Sequence, residues 1–354
     1  MDDTPQGSYE AAVERSRQIE ADLVTNPQNY RVLTGDRPTG RLHIGHLFGS
    51  LQNRVRLQNL GVATYVVIAD YQVLTDRETF DAISENTLQL AIDYLAVGLD
   101  PVGRNTTIFP HSQIPELNQL LLPFLTLVTM AELDRNPTVK EEIQAAGLKR
   151  VNAGMYTYPV HQAADILFCK ANLVPVGQDQ LPHVELTRLI ARRFNERYGT
   201  VFGEPAALLS KAPLLLGTDG GKMSKSRGNA IAIGATADET RRLIRGAKTD
   251  SVRGISYDPA TRPEVSSLVL LAALCLDRDP VTVAEQIGAG GAAKLKDTVT
   301  EAANERFAAI RARRAELATD PGYLRQVLRD GCQRAGEIGE ATLDEVRAAM
   351  GMRY

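Results

Sequence analysis

Between residues 29 and 230, short apolar runs alternate with longer stretches of helical spacing. Tyr30–Thr34, Thr64–Ala69, Thr106–Phe109 and Leu173–Val176 read as strands, with a weaker one near Leu214–Leu216. Ile44–Leu57, Phe80–Ala96, Ile114–Thr129 and Leu181–Arg197 read as helices. Strands alternating with helices predict an α/β fold built on a parallel sheet. Beyond Gly234 the spacing is helical throughout: Asp238–Ala247, Val265–Leu276, Val281–Ile287, Ala292–Leu317, Pro321–Arg334 and Leu343–Met350. A second, all-helical domain is expected. Ahead of the first strand, Tyr9–Val24 fits an amphipathic helix carrying Ala12, Val13, Ile19 and Leu23. The expected domains are a helical N-terminal extension over 1–28, an α/β unit over 29–232 and a helical unit over 233–354.

The first strand runs into Gly35, Pro38 and Gly40, which punctuate a loop, and a helix begins near Leu42. Such a strand–loop–helix unit aims backbone N–H groups and a positive helix end at an anion. It carries no Gly-x-Gly-x-x-Gly, so the dinucleotide fingerprint is absent. Instead it holds His43 and His46, three apart and so on one helix face, with the small Gly45 between them. Far downstream, Gly220–Asn229 offers Lys222, Lys225, Ser224 and Ser226 on a glycine-hinged segment, with Met223 among them. Two imidazoles at a helix start and a loop with two lysines make a clamp for a polyphosphate.

Bulk properties narrow the class. The 354 residues allow two domains, and 44% hydrophobic residues can bury a sizeable core. No apolar run reaches membrane-spanning length, and Met1–Gln6 is unlike a signal peptide, so a cytoplasmic protein is expected. Cys169, Cys275 and Cys332 are scattered, which suggests neither disulfides nor a Cys-x-x-Cys metal site; no protein-bound metal is expected. A net charge of −3 gives no general affinity for nucleic acid; a nucleic-acid partner would need a local basic face.

His-Ile-Gly-His at 43–46 and Lys-Met-Ser-Lys-Ser at 222–226 match both signature motifs of the class I aminoacyl-tRNA synthetases. Tyr158–Gln180, with its Ala-Ala-Asp-Ile-Leu and Val-Pro-Val-Gly-Gln-Asp-Gln runs, resembles the tryptophanyl-tRNA synthetases, as do 34–40, 111–116 and 132–137. The likeness covers residues 30 to about 350. It implies a Rossmann-like catalytic domain, a helical anticodon-binding domain and a homodimer. It also implies ATP-dependent activation of L-tryptophan and transfer to tRNA(Trp), with Mg²⁺ carried on ATP.

The resemblance further implies roles for single residues. His43, His46, Lys222 and Lys225 would serve the triphosphate. Gly35 would let the adenylate approach closely, and Gly177 and Asp179 would face the ribose. Arg37, Thr39, Gly40, Gly45, Met223, Ser224 and Ser226 would complete the ATP site. Asp165 would accept the indole N–H as an unpaired carboxylate among Ala163, Ala164, Ile166 and Leu167. Tyr158 and Gln180 would hold the α-amino group, and Leu33 would border the amino acid. Gln162 stands where the family often has Met: it reads a ring substituent, adjusts pocket polarity or hydrogen-bonds inward. Alternatives are a tyrosine-specific relative, a small nucleotidyltransferase, or an auxiliary synthetase-like protein with a protein partner at 1–28.

Overall fold

A computed structural model describes residues 5–76, 82–146, 151–209, 213–224 and 227–354. Its centre is one parallel sheet. The strands are β1 (Arg31–Asp36), β2 (Ala63–Ile68), β3 (Thr106–Pro110), β4 (Leu173–Val176) and β5 (Ala206–Leu209), ordered β3-β2-β1-β4-β5. All pairings are parallel, with β1 joined to β4 at Val32 and Leu173. The order reverses between β1 and β4, and in such sheets the crevice beyond that point receives ligands.

The first four strands lie where the apolar runs put them. The fifth does not. Leu214–Leu216 is not a strand: Leu216 makes only an isolated bridge to Lys222, and the edge strand is Ala206–Leu209. Its residues carry no β-branched side chain to announce it. The helix Pro5–Thr25 covers that edge. Ser16 accepts the Leu209 N–H at 3.0 Å, and Ile19 and Leu23 pack with Val32, Leu57 and Leu208. A strand edge left open would invite pairing with another chain.

Several expected helices are drawn differently. Ile114–Thr129 divides into Pro115–Gln119 and Leu121–Leu125. Pro123 lacks the N–H that a continuous helix would use, and its ring crowds the carbonyl four residues back. Pro321–Arg334 and Leu343–Met350 are one helix, Pro321–Ala349. The gap between them, 335–342, holds Gly336 and Gly339, and the helix runs through both; Gly339, and Gly331 within the first expected helix, are points of close approach. A Cβ on Gly331 would lie 1.8 Å from the Ile108 carbonyl oxygen, and one on Gly339 would lie 3.1 Å from Glu116. The helix ending at Ala96 begins at Ile83; Phe80 lies outside the described residues.

The sheet unit and the C-terminal helices share apolar packing. Leu42 and Ile44 of the first signature segment belong to the same buried cluster as Val269, Leu295 and Phe307. Among the described residues no helix is long and apolar enough to cross a membrane.

Candidate active site

A cavity of about 630 Å³ opens at the carboxyl ends of β1 and β4. Leu33, Gly35, Arg37, Thr39, His43 and His46 line it from the front of the chain. Tyr158, Gln162, Asp165, Gly177, Asp179 and Gln180 line it from the middle, with Ser224 from the second signature loop. Gly40, Gly45, Lys222 and Met223 are not among its walls. Lys225 and Ser226 lie outside the described residues.

The helix Ala153–Leu167 presents Tyr158, Gln162 and Asp165 on one face, by spacings of four and three. Asp165 is 3% exposed. The expectation of an unpaired carboxylate needs correction: His111 Nδ1 already donates to Asp165 Oδ1 at 3.0 Å. The other oxygen, Oδ2, has no protein partner among the described residues. One acceptor position is therefore spent on holding the carboxylate, and one remains for a ligand.

His111 is itself placed by main chain. The Tyr71 N–H donates to its Nε2 at 3.0 Å, which assigns the proton to Nδ1. Burial lowers the pKa of this ring, but the Asp165 and Asp70 carboxylates outweigh burial and raise it. Asp70 is fixed in turn by Ser112, through its N–H at 3.1 Å and its hydroxyl. The neighbouring His161 accepts from Gln72 at Nδ1 (3.2 Å) and donates from Nε2 to Asn118 Oδ1 (2.9 Å). Burial pushes the His161 pKa down. Ligand atoms of His111, His161 and Asp165 come within 4.8 Å of one another. All four ring nitrogens are engaged with neighbours, so the cluster works as a hydrogen-bond network.

A second relay holds Tyr158. Asn136 Oδ1 accepts the Thr138 and Val139 N–H groups, so its Nδ2 donates to His183 Nδ1 at 3.3 Å. His183 Nε2–H then donates to the Tyr158 hydroxyl at 3.1 Å. Burial pushes the His183 pKa down to about 4, so the imidazole is neutral at ordinary pH. Gln162 faces the cavity, and its amide has no protein partner among the described residues. An inward hydrogen bond is not what it makes.

The phosphate end is built differently. His43 begins the helix Ile44–His46, and its N–H donates to His46 Nδ1 at 3.2 Å, which assigns the His46 proton to Nε2. The two rings lie 3.8 Å apart, centroid to centroid. Behind them, Asp36 binds Arg54 at 2.6 Å and the Tyr94 hydroxyl at 2.7 Å. Burial would raise the Asp36 carboxyl; Arg54 and its neighbours outweigh that and hold it well below the carboxylate range. Gly35 is dictated partly by packing, because a Cβ there would lie 2.0 Å from the Val67 carbonyl oxygen.

In the second loop Lys222 is exposed, whereas Met223 is 9% exposed and packs in the core. Asn229 closes the loop base: it accepts the Ser224 N–H at 2.8 Å and donates to Asp219 and the Lys222 carbonyl. Asn229, His183, Asn136 and Gln72 were not singled out from the sequence. One signal was available. The chain has five histidines, and each lines this cavity or bonds to a residue that does.

A parallel sheet with a site at its switch point, two helix-start imidazoles and a lysine loop define a class I synthetase, and the family model "tRNA synthetases class I (W and Y)" matches residues 25–308. Within that class the chain belongs to the tryptophan–tRNA ligase family. It is 42% identical over 333 residues to the tryptophan–tRNA ligase of Clostridium longisporum, covering 91% of this chain and 97% of the relative. It is 43% identical over 329 residues to that of Treponema pallidum, with the same shares. The crystal structure of tryptophanyl-tRNA synthetase from Campylobacter jejuni, complexed with ADP and tryptophan, is similar at a TM-score of 0.79 and 30% identity. It matches 91% of this chain and 99% of that one.

Proposed function

We propose that this cavity joins L-tryptophan to ATP and passes the product to tRNA(Trp). The protein is a tryptophan–tRNA ligase by family; the residue roles that follow are our assignment. One observation supports them most: an open oxygen of a buried aspartate and two helix-start imidazoles face a single cavity.

In this scheme Asp165 Oδ2 accepts the indole N–H while His111 holds the carboxylate still. Tyr158 and Gln180 receive the α-ammonium group, and Leu33 borders the ring. The substrate carboxylate oxygen attacks the α-phosphorus of ATP. A P–O bond forms there as the bond to the β-phosphate oxygen breaks and pyrophosphate leaves. His46 Nε2–H and His43 donate to oxygens on which charge builds, and Lys222 and Lys225 meet the departing phosphates. Donors fixed before the reaction stabilise that charge without reorganising. Gly35, Gly177 and Asp179 cradle the adenosine and its ribose, with Arg37, Thr39, Ser224 and Ser226 along the phosphates, while Gly40, Gly45 and Met223 support the two signature segments from outside the cavity wall. Mg²⁺ arrives on ATP. A tRNA 3′-terminal hydroxyl then attacks the activated carbonyl, and AMP leaves. The 233–354 helices receive the anticodon, the working form is a cytoplasmic homodimer, and the outward face of Pro5–Thr25 is open to a protein partner.

Amino-acid-dependent ATP–pyrophosphate exchange tests the assignment. Tryptophan should support exchange, and tyrosine and phenylalanine should be at least about 10³-fold poorer, because they leave the buried acceptor unpaired. Exchange with tyrosine but not tryptophan would overturn it.

A further inference from the structure

One ion pair joins parts of the chain that the chemistry above treats separately. Arg314, on the helix Gly291–Ala318, reaches Asp93 on the helix Ile83–Ala96. The Nε–Oδ1 distance is 2.7 Å, and the side chains are 12% and 1% exposed. Its Nη2 also donates to Gln89 at 2.6 Å. The other Asp93 oxygen accepts the Leu42 N–H at 3.1 Å. Leu42 immediately precedes His43, and its carbonyl accepts the Ile233 N–H at 2.9 Å. The Ile44 N–H donates to the Ile231 carbonyl at 3.0 Å, and His43 and Ala232 form an antiparallel bridge. The segment that follows the lysine loop is thus stitched to the segment that carries the first histidine.

Arg314 crosses this seam. A Cβ on Gly234 would lie 2.5 Å from Arg314 Nε and 2.7 Å from its Cδ. Glycine there makes room for the guanidinium. One half-buried side chain from the C-terminal helices therefore touches the carboxylate that holds Leu42 and the backbone that follows the lysine loop. Asp93 buried without its cation would be a costly charge, and its grip on Leu42 would weaken with it.

We propose that Arg314 and Asp93 are positioning residues. They tie the placement of the C-terminal helices to that of His43 and of the 231–234 segment. A shift of the Gly291–Ala318 helix, as when tRNA engages it, is passed to the phosphate end through this contact. Its kinetic consequence rests on the role assigned to His43 above; the structural link does not.

The test uses the full chain with Arg314→Met, Arg314→Lys and Asp93→Asn. Arg262→Met is the control: Arg262 pairs with Asp250 at 2.7 Å inside the C-terminal part and does not reach the signature segments. In ligand-free protein, hydrogen–deuterium exchange should speed about tenfold over 42–46 and 231–234 in Arg314→Met and stay unchanged there in Arg262→Met. In tryptophan-dependent exchange, Arg314→Met should raise KM for ATP about tenfold, lower kcat, and keep KM for tryptophan within about twofold. Arg314→Lys should recover part of both effects. Adding Asp93→Asn to Arg314→Met should change little more. Unchanged protection over 42–46 in Arg314→Met, or the same changes in Arg262→Met, would overturn the link. Faster exchange over 42–46 with no tryptophan activation by the unsubstituted chain would instead count against the functional assignment alone.

Discussion

The two ends of the cavity are made in opposite ways. At the end assigned to the amino acid, His111, His161 and His183 are 0%, 7% and 1% exposed, and each ring has partners on both nitrogens. Their protons are assigned before any ligand arrives, and they hold Asp165, Gln72 and Tyr158 in place. At the phosphate end His43 and His46 are half-buried, Lys222 is exposed, and the loop is fixed at its base by Asn229. Rejecting an amino acid that lacks one N–H needs an acceptor that cannot adjust to a poorer ligand. Stabilising charge that exists only during phosphoryl transfer suits groups able to close around it.

The largest expected effect lies at the looser end. His46→Ala should lower kcat for tryptophan-dependent exchange by about 10²–10³, the usual worth of a preorganised donor to developing charge. KM for tryptophan should stay within about twofold. If KM for tryptophan rose as far as kcat fell, the ends would not be separable.

The rigid end should show itself in stability against pH. The His183 pKa is depressed to about 4 from an ordinary value near 6.5. Between those values the unfolded chain holds a proton that the folded one lacks, so stability falls as pH drops through the interval. A depression of this size corresponds to about 3 kcal/mol. His183→Gln keeps a donor for Tyr158 and removes the titration. Urea unfolding at pH 4 to 7 should show a stability loss in the unsubstituted chain that is smaller by about that amount in His183→Gln. Equal slopes would mean that His183 is not held neutral by burial.

The same contrast divides what the linear chain reveals. Motifs at the phosphate end are contiguous, so 43–46 and 222–226 are legible in the sequence as a motif pair, and of their described residues His43, His46 and Ser224 line the cavity. The strand Leu173–Val176 was likewise read to the residue, being a short apolar run. The supports of the amino-acid end are scattered. His111 and Asp165 are 54 positions apart, and Tyr158 and His183 are 25 apart, so no local pattern joins them. Asp165 looked unpaired because its near neighbours in sequence are apolar; its partner arrives from the end of β3. The long Pro321–Ala349 helix reads as two, with 335–342 left between them, for a related reason. Local propensity counts Gly336 and Gly339 as breakers, whereas Gly339 lies where a side chain would crowd Glu116 and Phe168.

The smallest effect asks how freely the phosphate end moves. A Cβ on Gly45 would lie 3.0 Å from the Cε1 and Nδ1 atoms of His43, and 3.6 Å from Met223 Sδ. The first contact is tight but is made with a side chain, and a ring can swing. Displacing an imidazole by about 30° from its rotamer costs about 0.5–1.5 kcal/mol, or about 2- to 12-fold in rate. Gly45→Ala should therefore reduce kcat within that range, leave KM for tryptophan unchanged and keep Tm within a few degrees. A kcat loss as deep as that of His46→Ala would show His43 to be held as tightly as His111, and the difference between the two ends would then lie only in their exposure.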